Sequence, residues 1–349
     1  MLGVLFGAAS AVFFGAGDFV GGFASKRITA MLVTGIAALA GVAALTFAAP
    51  FDGGIWHAET WIGGIGTGVT SCLGIWLLYS AYSVGPMTTL APIVAIVSTV
   101  VPMAAGLLAG ETFSALGWVA VAVGIVAIGL VAAAPDARTS KARPIDAVKA
   151  ALAGAFLGVF YIYLDGGLGN VHVDEAGLTP LMANRITCVV IAFSAVAVLA
   201  LRRRPIIVDD RAADPRSGAA APQLYGVSSR GAAVVDPRPA SAQAGRTATL
   251  AAAREPAAQR PGATDRARRI VLISAVALAM LSGTLDATAN ALFTFGLAFG
   301  DLAVLSVVSG FYPAVTIGLA FVLLRERPNR LQGIGITLSL VSLVGMSLA

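Results

Sequence analysis

GPMTTLAPIVAIVSTVVPMAAGLLAGE, residues 85–111, and GDLAVLSVVSGFYPAVTIGLAFVLLRE, residues 300–326, are two apolar stretches of equal length, each opened by a glycine and closed by a glutamate. Laid on one another, they place Leu90 on Leu305, Val100 on Val315, Ala105 on Ala320 and Leu108 on Leu323. Carried outward, the same register pairs Gly68 with Gly283, Leu77 with Leu292 and Leu116 with Leu331. A second constant offset aligns Gly7, Ala8, Val12, Phe13, Asp18 and Gly22 with Gly154, Ala155, Val159, Phe160, Asp165 and Gly169. Glycine, alanine and leucine coincide by composition in any apolar chain, so the matched Asp and Glu positions carry the weight. The chain therefore reads as an internal duplication.

The composition names the solvent of these repeats. Of the 349 residues, 58% are hydrophobic and 12% charged, against roughly 25% charged in a soluble domain; the mean hydropathy is +0.87. A helix of about 20 apolar residues crosses a ~30 Å hydrocarbon core with every backbone N–H and C=O satisfied internally. Apolar windows of that length lie near 2–22, 30–50, 61–82, 87–109, 114–134, 147–167, 179–201, 270–296, 302–324 and 331–348. The fold class predicted is an all-α integral membrane protein with ten transmembrane helices. They divide into a first five-helix repeat at 1–134, a linker at 135–146, and a second five-helix repeat at 147–348 interrupted by residues 202–269. That interruption is rich in Ala, Pro and Arg and poor in large apolar residues, so it is read as a disordered loop.

An odd number of spans per repeat turns the second copy upside down in the bilayer. The loop charges agree: Lys26 and Arg27 follow span one, Arg138, Lys141 and Arg143 follow span five, arginines follow span seven, and Arg325, Arg327 and Arg330 follow span nine. The other loops carry no basic residue. By the positive-inside rule the basic loops, 202–269 included, are cytoplasmic and both termini face outward. The setting expected is a plasma membrane, of the bacterial inner-membrane kind, crossed many times. The net charge of +5 is local, because 13 of the 23 basic residues and 6 of the 18 acidic residues fall within 202–269. Nucleic-acid binding is excluded on that ground. Cys72 and Cys188 fall inside predicted spans as small apolar residues, and His57 and His172 stand alone in loops, so neither a disulfide framework, a metal nor a cofactor is expected.

The two halves resemble the drug/metabolite transporter superfamily, in particular its ten-helix EamA-type members. The resemblance is carried by the glycine-led fourth and ninth spans ending in Gly110-Glu111 and Arg325-Glu326, by the apolar fifth and tenth spans after them, and by Thr179-Pro180-Leu181 ahead of Arg185. It covers both halves and leaves out 202–269. It implies two inverted five-helix repeats around a central substrate cavity, and a secondary active transporter that moves small metabolites or drugs by alternating access. Efflux driven by protons is the direction and coupling it implies, with a small-molecule substrate, H+ and the lipid bilayer as partners. Gly35 stands where the second repeat has Arg185, a departure from symmetry.

A charge inside the bilayer costs at least about 2.5 kcal/mol on insertion scales, so each one needs a reason. Asp286 lies mid-span in the eighth helix, with Asn290 one turn on along the same face. It reads as a carboxylate that binds a cationic group or exchanges protons, or as a partner for Arg185. Asp18 and Asp165 occupy equivalent places near the ends of spans one and six, where they would act as gates on opposite faces. Tyr79, Trp76 and Tyr161 lie deep enough in their spans to line a cavity or to pack. Glu111 and Glu326 sit at span ends, where a carboxylate suits the positive N-terminus of the next helix, a structural role. Pro92, Pro102 and Pro313 interrupt the fourth and ninth spans and shape them.

Two other functions compete. Gly15-Ala16-Gly17-Asp18 matches the string of intramembrane aspartyl proteases, which need two carboxylates close enough to share a proton; inversion sends Asp18 and Asp165 to opposite faces. A membrane receptor or scaffold acting through the basic 202–269 loop, by recruiting a partner or anionic lipid, is the other.

Overall fold

The computed structural model describes residues 1–52, 54–56, 58–85, 87–133, 143–165, 177–202, 261–324 and 330–348. Their elements are helices throughout: α1 Leu2–Ser25, α2 Ala30–Asp52, α3 Ala58–Tyr82, α4 Met87–Leu108, α5 Ala115–Ala133, α6 Pro144–Leu164, α7 Thr179–Leu201, α8 Pro261–Leu297, α9 Leu302–Ser309, α10 Tyr312–Leu324 and α11 Arg330–Leu348. Six of them, α1, α2, α3, α6, α7 and α8, are long and apolar enough to cross a membrane. The other predicted spans appear as shorter apolar helices within α4, α5, α9 with α10, and α11. The main unit comprises Met1–Asp209 and Leu272–Ala349; residues Asp210–Val271 form a separate unit, described only from Pro261, where it is helical.

Two boundaries differ from the sequence expectation. The helix that includes the eighth span begins at Pro261, so residues 261–269 are helical and not part of a disordered loop. The proline supplies its fixed φ where the missing N–H costs nothing. The ninth span is broken: α9 stops at Gly310 and α10 starts at Tyr312. Pro313 has no N–H for the Ser309 carbonyl, and the two short helices are the outcome.

Around a largely apolar core, many large apolar side chains stay exposed and several polar ones are buried. Leu5, Val12, Phe47, Ile62, Val190 and Leu340 are exposed on the outside, while Ser10, Thr67, Asn184, Arg185, Ser282 and Asn290 are buried. Lipid gives apolar side chains no reason to withdraw, so helices associate through small residues and hydrogen bonds. Gly68 of α3 abuts Thr187 of α7, and Gly283 of α8 abuts the Ala37 backbone of α2. These contacts correspond under the sequence register, since 68 pairs with 283 and Ala37 stands to Thr187 as Gly35 does to Arg185. In the same way α3 packs on α6 while Gly17 of α1 packs on Ser282 of α8, and α4 packs on α6 while α1 packs on α9 and α10. Helices α2 and α7, α4 and α9, and α5 and α11 pack against their own counterparts.

Candidate functional site

Helix α8 carries its polar residues on one stripe. Ser282, Asp286, Asn290 and Thr294 recur every four residues, which in a helix places them one above the next. Each hydroxyl or amide is tied down locally: Asn290 Nδ2 donates to the Asp286 carbonyl at 2.8 Å and Thr294 Oγ1 to the Asn290 carbonyl at 3.0 Å. Ser282 Oγ donates to the Gly17 carbonyl of α1 at 2.9 Å. Having spent its one proton, Ser282 can only accept from Tyr79, so the 2.8 Å contact between their hydroxyls has Tyr79 as donor.

The stripe faces Arg185 of α7. Its Nη2 forms an ion pair with Asp286 Oδ2. Arg185 is 2% exposed, and its side chain runs over Gly41 of α2, where a Cβ would stand 3.1 Å from Arg185 Cδ. Residue 41 is glycine because the guanidinium passes there. One residue before it, Asn184 donates from Nδ2 to Ser71 Oγ of α3 at 2.9 Å. Among the described residues Arg185 Nε and Asn290 Oδ1 are buried without a hydrogen-bond partner, an uncommon and costly state for polar atoms.

These groups surround one central cavity of about 40 Å³, lined by Asp18, Tyr79, Tyr161, Arg185, Asp286 and Asn290 together with Phe14, Ser71, Ser98, Phe160 and Tyr312. Tyr161 forms its aromatic wall, 4.5 Å from the Phe293 ring and 5.1 Å from Phe160 between centroids. A water needs roughly 10–15 Å³ of such volume, whereas a drug-sized ligand needs about 300–1,000 Å³. The conformation is thus nearly closed around its polar centre. Among the lining residues the charges are two carboxylates, Asp18 and Asp286, against one guanidinium. With Arg185 committed to Asp286, Asp18 is the surplus, and it lies within electrostatic reach of Asp286.

Of the eight substrate- or proton-binding candidates named from the sequence, six line this cavity and two, Trp76 and Asp165, do not. Trp76 lines an outer groove with Met31, Ser194, Ala195, Val198 and Leu199. Asp165 caps the C-terminal end of α6, its backbone N–H donating to the Tyr161 carbonyl at 3.0 Å. Burial, then the nearby carboxylates of Glu111 and Asp301, push its pKa up to about 6. Asp18 and Asp165 are therefore not equivalent gates: one borders the cavity and the other a helix end. The two aspartates of the protease-like reading, Asp18 and Asp165, are not brought together at this cavity, where the acid beside Asp18 is Asp286, the ion-pair partner of Arg185.

Glu111 accepts from the backbone N–H groups of Leu302 at 3.2 Å and Ala303 at 3.0 Å, the first turn of α9. The expectation was the following helix, α5; the helix it reaches lies in the other half. Glu326, His57 and His172 lie outside the described residues. The cysteines are free, with Cys72 Sγ 3.9 Å from the Cys188 carbonyl. Among the described residues no group of three His, Cys, Asp or Glu could hold a metal. Sequence reasoning missed Ser282, although its spacing from Asp286 announces it, and missed Gly41, Ser71, Ser98 and Tyr312, for which periodicity in a uniformly apolar helix gave no signal.

A helical membrane protein with an internal cavity, walled by apolar and aromatic side chains and carrying an Arg–Asp ion pair, is the class that fold and site define. Residues 249–348 match the model described as the EamA-like transporter family, a family of the drug/metabolite transporter superfamily. A solved crystal structure is similar in fold, with a TM-score of 0.59, 16% identity, and 99% of this chain and 96% of that one covered. No curated protein matches the chain.

Proposed function

We propose that the chain is a secondary carrier that moves small solutes across a plasma membrane by exposing the Asp286 cavity to each side in turn, with export as its direction and protons as its coupling ion. In this reading the peptide crosses the bilayer ten times as two inverted five-helix repeats, with α9 and α10 together making the ninth crossing. The corresponding contacts of Gly68 with Thr187 and of Gly283 with Ala37 support the inversion. Charge supports the orientation: Lys26, Arg27, Arg143, Arg202 and Arg330 stand at helix ends of one sense, and Glu111, Asp165 and Asp301 at those of the other.

The observation that carries the reading is the set of half-buried Asp18 and Asp286 with buried Arg185 and Asn290, drawn from α1, α7 and α8, helices of both halves, around one cavity. A carboxylate left over after the ion pair favours a proton or a cationic group over an anion. A cation that approaches Asp286 competes with Arg185 for the same oxygen, so ligand binding and the ion pair exclude one another. Such a competition gives the ligand a differential affinity for two arrangements, the requirement for driving a conformational exchange.

The test is uptake into proteoliposomes of a panel of amines, amino acids and cationic dyes, with and without a pH gradient, for the parent and for Asp286→Asn. The expected result is at least one solute whose movement follows the gradient in the parent and is lost in the variant. Equal activity of the variant on that solute would remove Asp286 from the mechanism.

A further inference from the structure

Helix α9 is capped by the wrong residue. Its own N-cap, Asp301, has the extended backbone of a cap residue, φ −70° and ψ 149°, and belongs to the residue types that cap best, yet its side chain makes no cap hydrogen bond. The first-turn donors go instead to Glu111, one to each carboxylate oxygen. Glu111 sits between α4 and α5 in the first half, and α9 lies in the second, so this cap ties one half to the other.

The loop is shaped for that reach. Gly110 adopts φ +102°, a conformation that L side chains rarely enter. The Glu111 N–H donates to the Gly106 carbonyl at 3.0 Å, and the carboxylate lies over Gly106, where a Cβ would collide with it. At the far end of α9 the chain breaks at Gly310, and Tyr312, just beyond, lines the cavity and donates to the Ala91 carbonyl of α4 at 3.3 Å. Along its side α9 packs on α1, where Ser309 Oγ donates to the Gly7 carbonyl at 3.5 Å. The eight-residue helix is thus a short lever with its N-terminus held by the opposite half, a break at its other end, and the cavity beyond the break.

We propose that Glu111 and Asp301 are exchangeable caps, and that their exchange is a latch on the face of the protein that carries them. With Glu111 on α9, the halves are locked together and that face is closed. When it opens, Glu111 withdraws and Asp301, as the N-cap, accepts from the Ala303 or Val304 N–H, so the first turn keeps a side-chain cap in both states. The two arrangements then differ little in free energy, as a carrier that cycles requires. This inference rests on the carrier reading and supplies the regulation of its cavity.

The test places one reporter in the cavity wall, Ser98→Cys, in a background with Cys72→Ala and Cys188→Ala. A membrane-impermeant thiol reagent is applied to either face in vesicles of both orientations. Glu111→Ala is expected to speed modification from the Glu111-bearing face by about tenfold, the factor by which loss of a strong cap shifts an equilibrium, without a matching rise from the other face. Asp301→Ala removes the alternative cap and is expected to slow it by a similar factor, with Glu111→Gln, which keeps one acceptor oxygen, between parent and Glu111→Ala. Effects of the same sign for Glu111→Ala and Asp301→Ala, an equal rise from both faces, or no change overturns the latch. Should Glu111→Ala fail to reach the membrane, Leu302→Pro deletes one donor at a first-turn position that accepts proline; it is expected to speed modification in the same direction, and an unchanged rate overturns the proposal. A parent reporter that reacts from neither face would instead defeat the carrier reading itself.

Discussion

Asp286 and Arg185 are the residues on which structure and function are hardest to separate, because removing either leaves the other as an unpaired, largely desolvated charge. Asp286→Asn should lower thermal stability in detergent by about 3–5 kcal/mol as well as abolish transport, the usual cost of breaking a buried pair. Replacing both partners, Arg185→Met with Asp286→Leu, should restore most of the stability, since well-packed apolar residues commonly match a buried ion pair, while transport stays lost. Recovery of transport in that double variant would reduce the pair to a structural tie. At this scale the sequence disclosed what charge discloses. Asp286, Arg185 and Asp18 stood out because a charge in lipid needs a partner, and Asn290 followed from its spacing. Trp76 was misplaced because depth along a span says nothing of azimuth: Ile75, Leu78 and Tyr79 turn one face of α3 inward, and the residue after Ile75 is rotated by about 100° from it.

Helices carry the close approaches and the end effects. A Cβ on Gly283 would drive into the Ala37 backbone, which cannot yield as a flexible side chain would. Gly283→Val should therefore cost upwards of about 3 kcal/mol, the upper range for overpacking, seen as loss of folded, monodisperse protein after extraction. Gly129 has nothing within 4 Å of its missing Cβ, and Gly129→Ala should be neutral or stabilising by up to about 1 kcal/mol. A Gly283→Val variant as stable as the parent would contradict the packing described. At the end of α6, Asp165 has its pKa raised to about 6 by burial and by Glu111 and Asp301. The folded protein therefore binds the proton more tightly than the unfolded chain, and stability rises as pH falls from about 7 through 6 toward 4. Asp165→Asn should flatten that part of a melting-temperature profile, and an unchanged profile would refute it. The break between α9 and α10 was signalled by Pro313, but a proline in a span is as often a bend as an interruption. The early start of α8 was hidden because residues 202–269 were weighed as one segment, and their average polarity masked the helical 261–269.

Over the whole molecule the many large apolar side chains left on the outside follow from the solvent, which the apolar composition of the sequence indicates. The duplication reading rests on residues 85–111 and 300–326, because paired glutamates at equal spacing do not arise from apolar composition. What the halves enclose was not legible: Ser71, Ser98 and Tyr312 reach the cavity only through the way α3, α4 and α10 are rotated against the other half, and small hydroxyls carry no insertion cost large enough to mark them. The cavity of about 40 Å³ is too small for a drug-sized ligand, so transport demands a second conformation in which the halves part. The most direct measurement is two-sided labelling of a single cavity cysteine, Ser98→Cys without Cys72 and Cys188, by an impermeant thiol reagent in oriented vesicles. Modification from both faces, slowed from both by a transported solute, is the result that alternating access predicts. Modification from one face alone, or from both at once in a pore that also conducts ions freely, would contradict it.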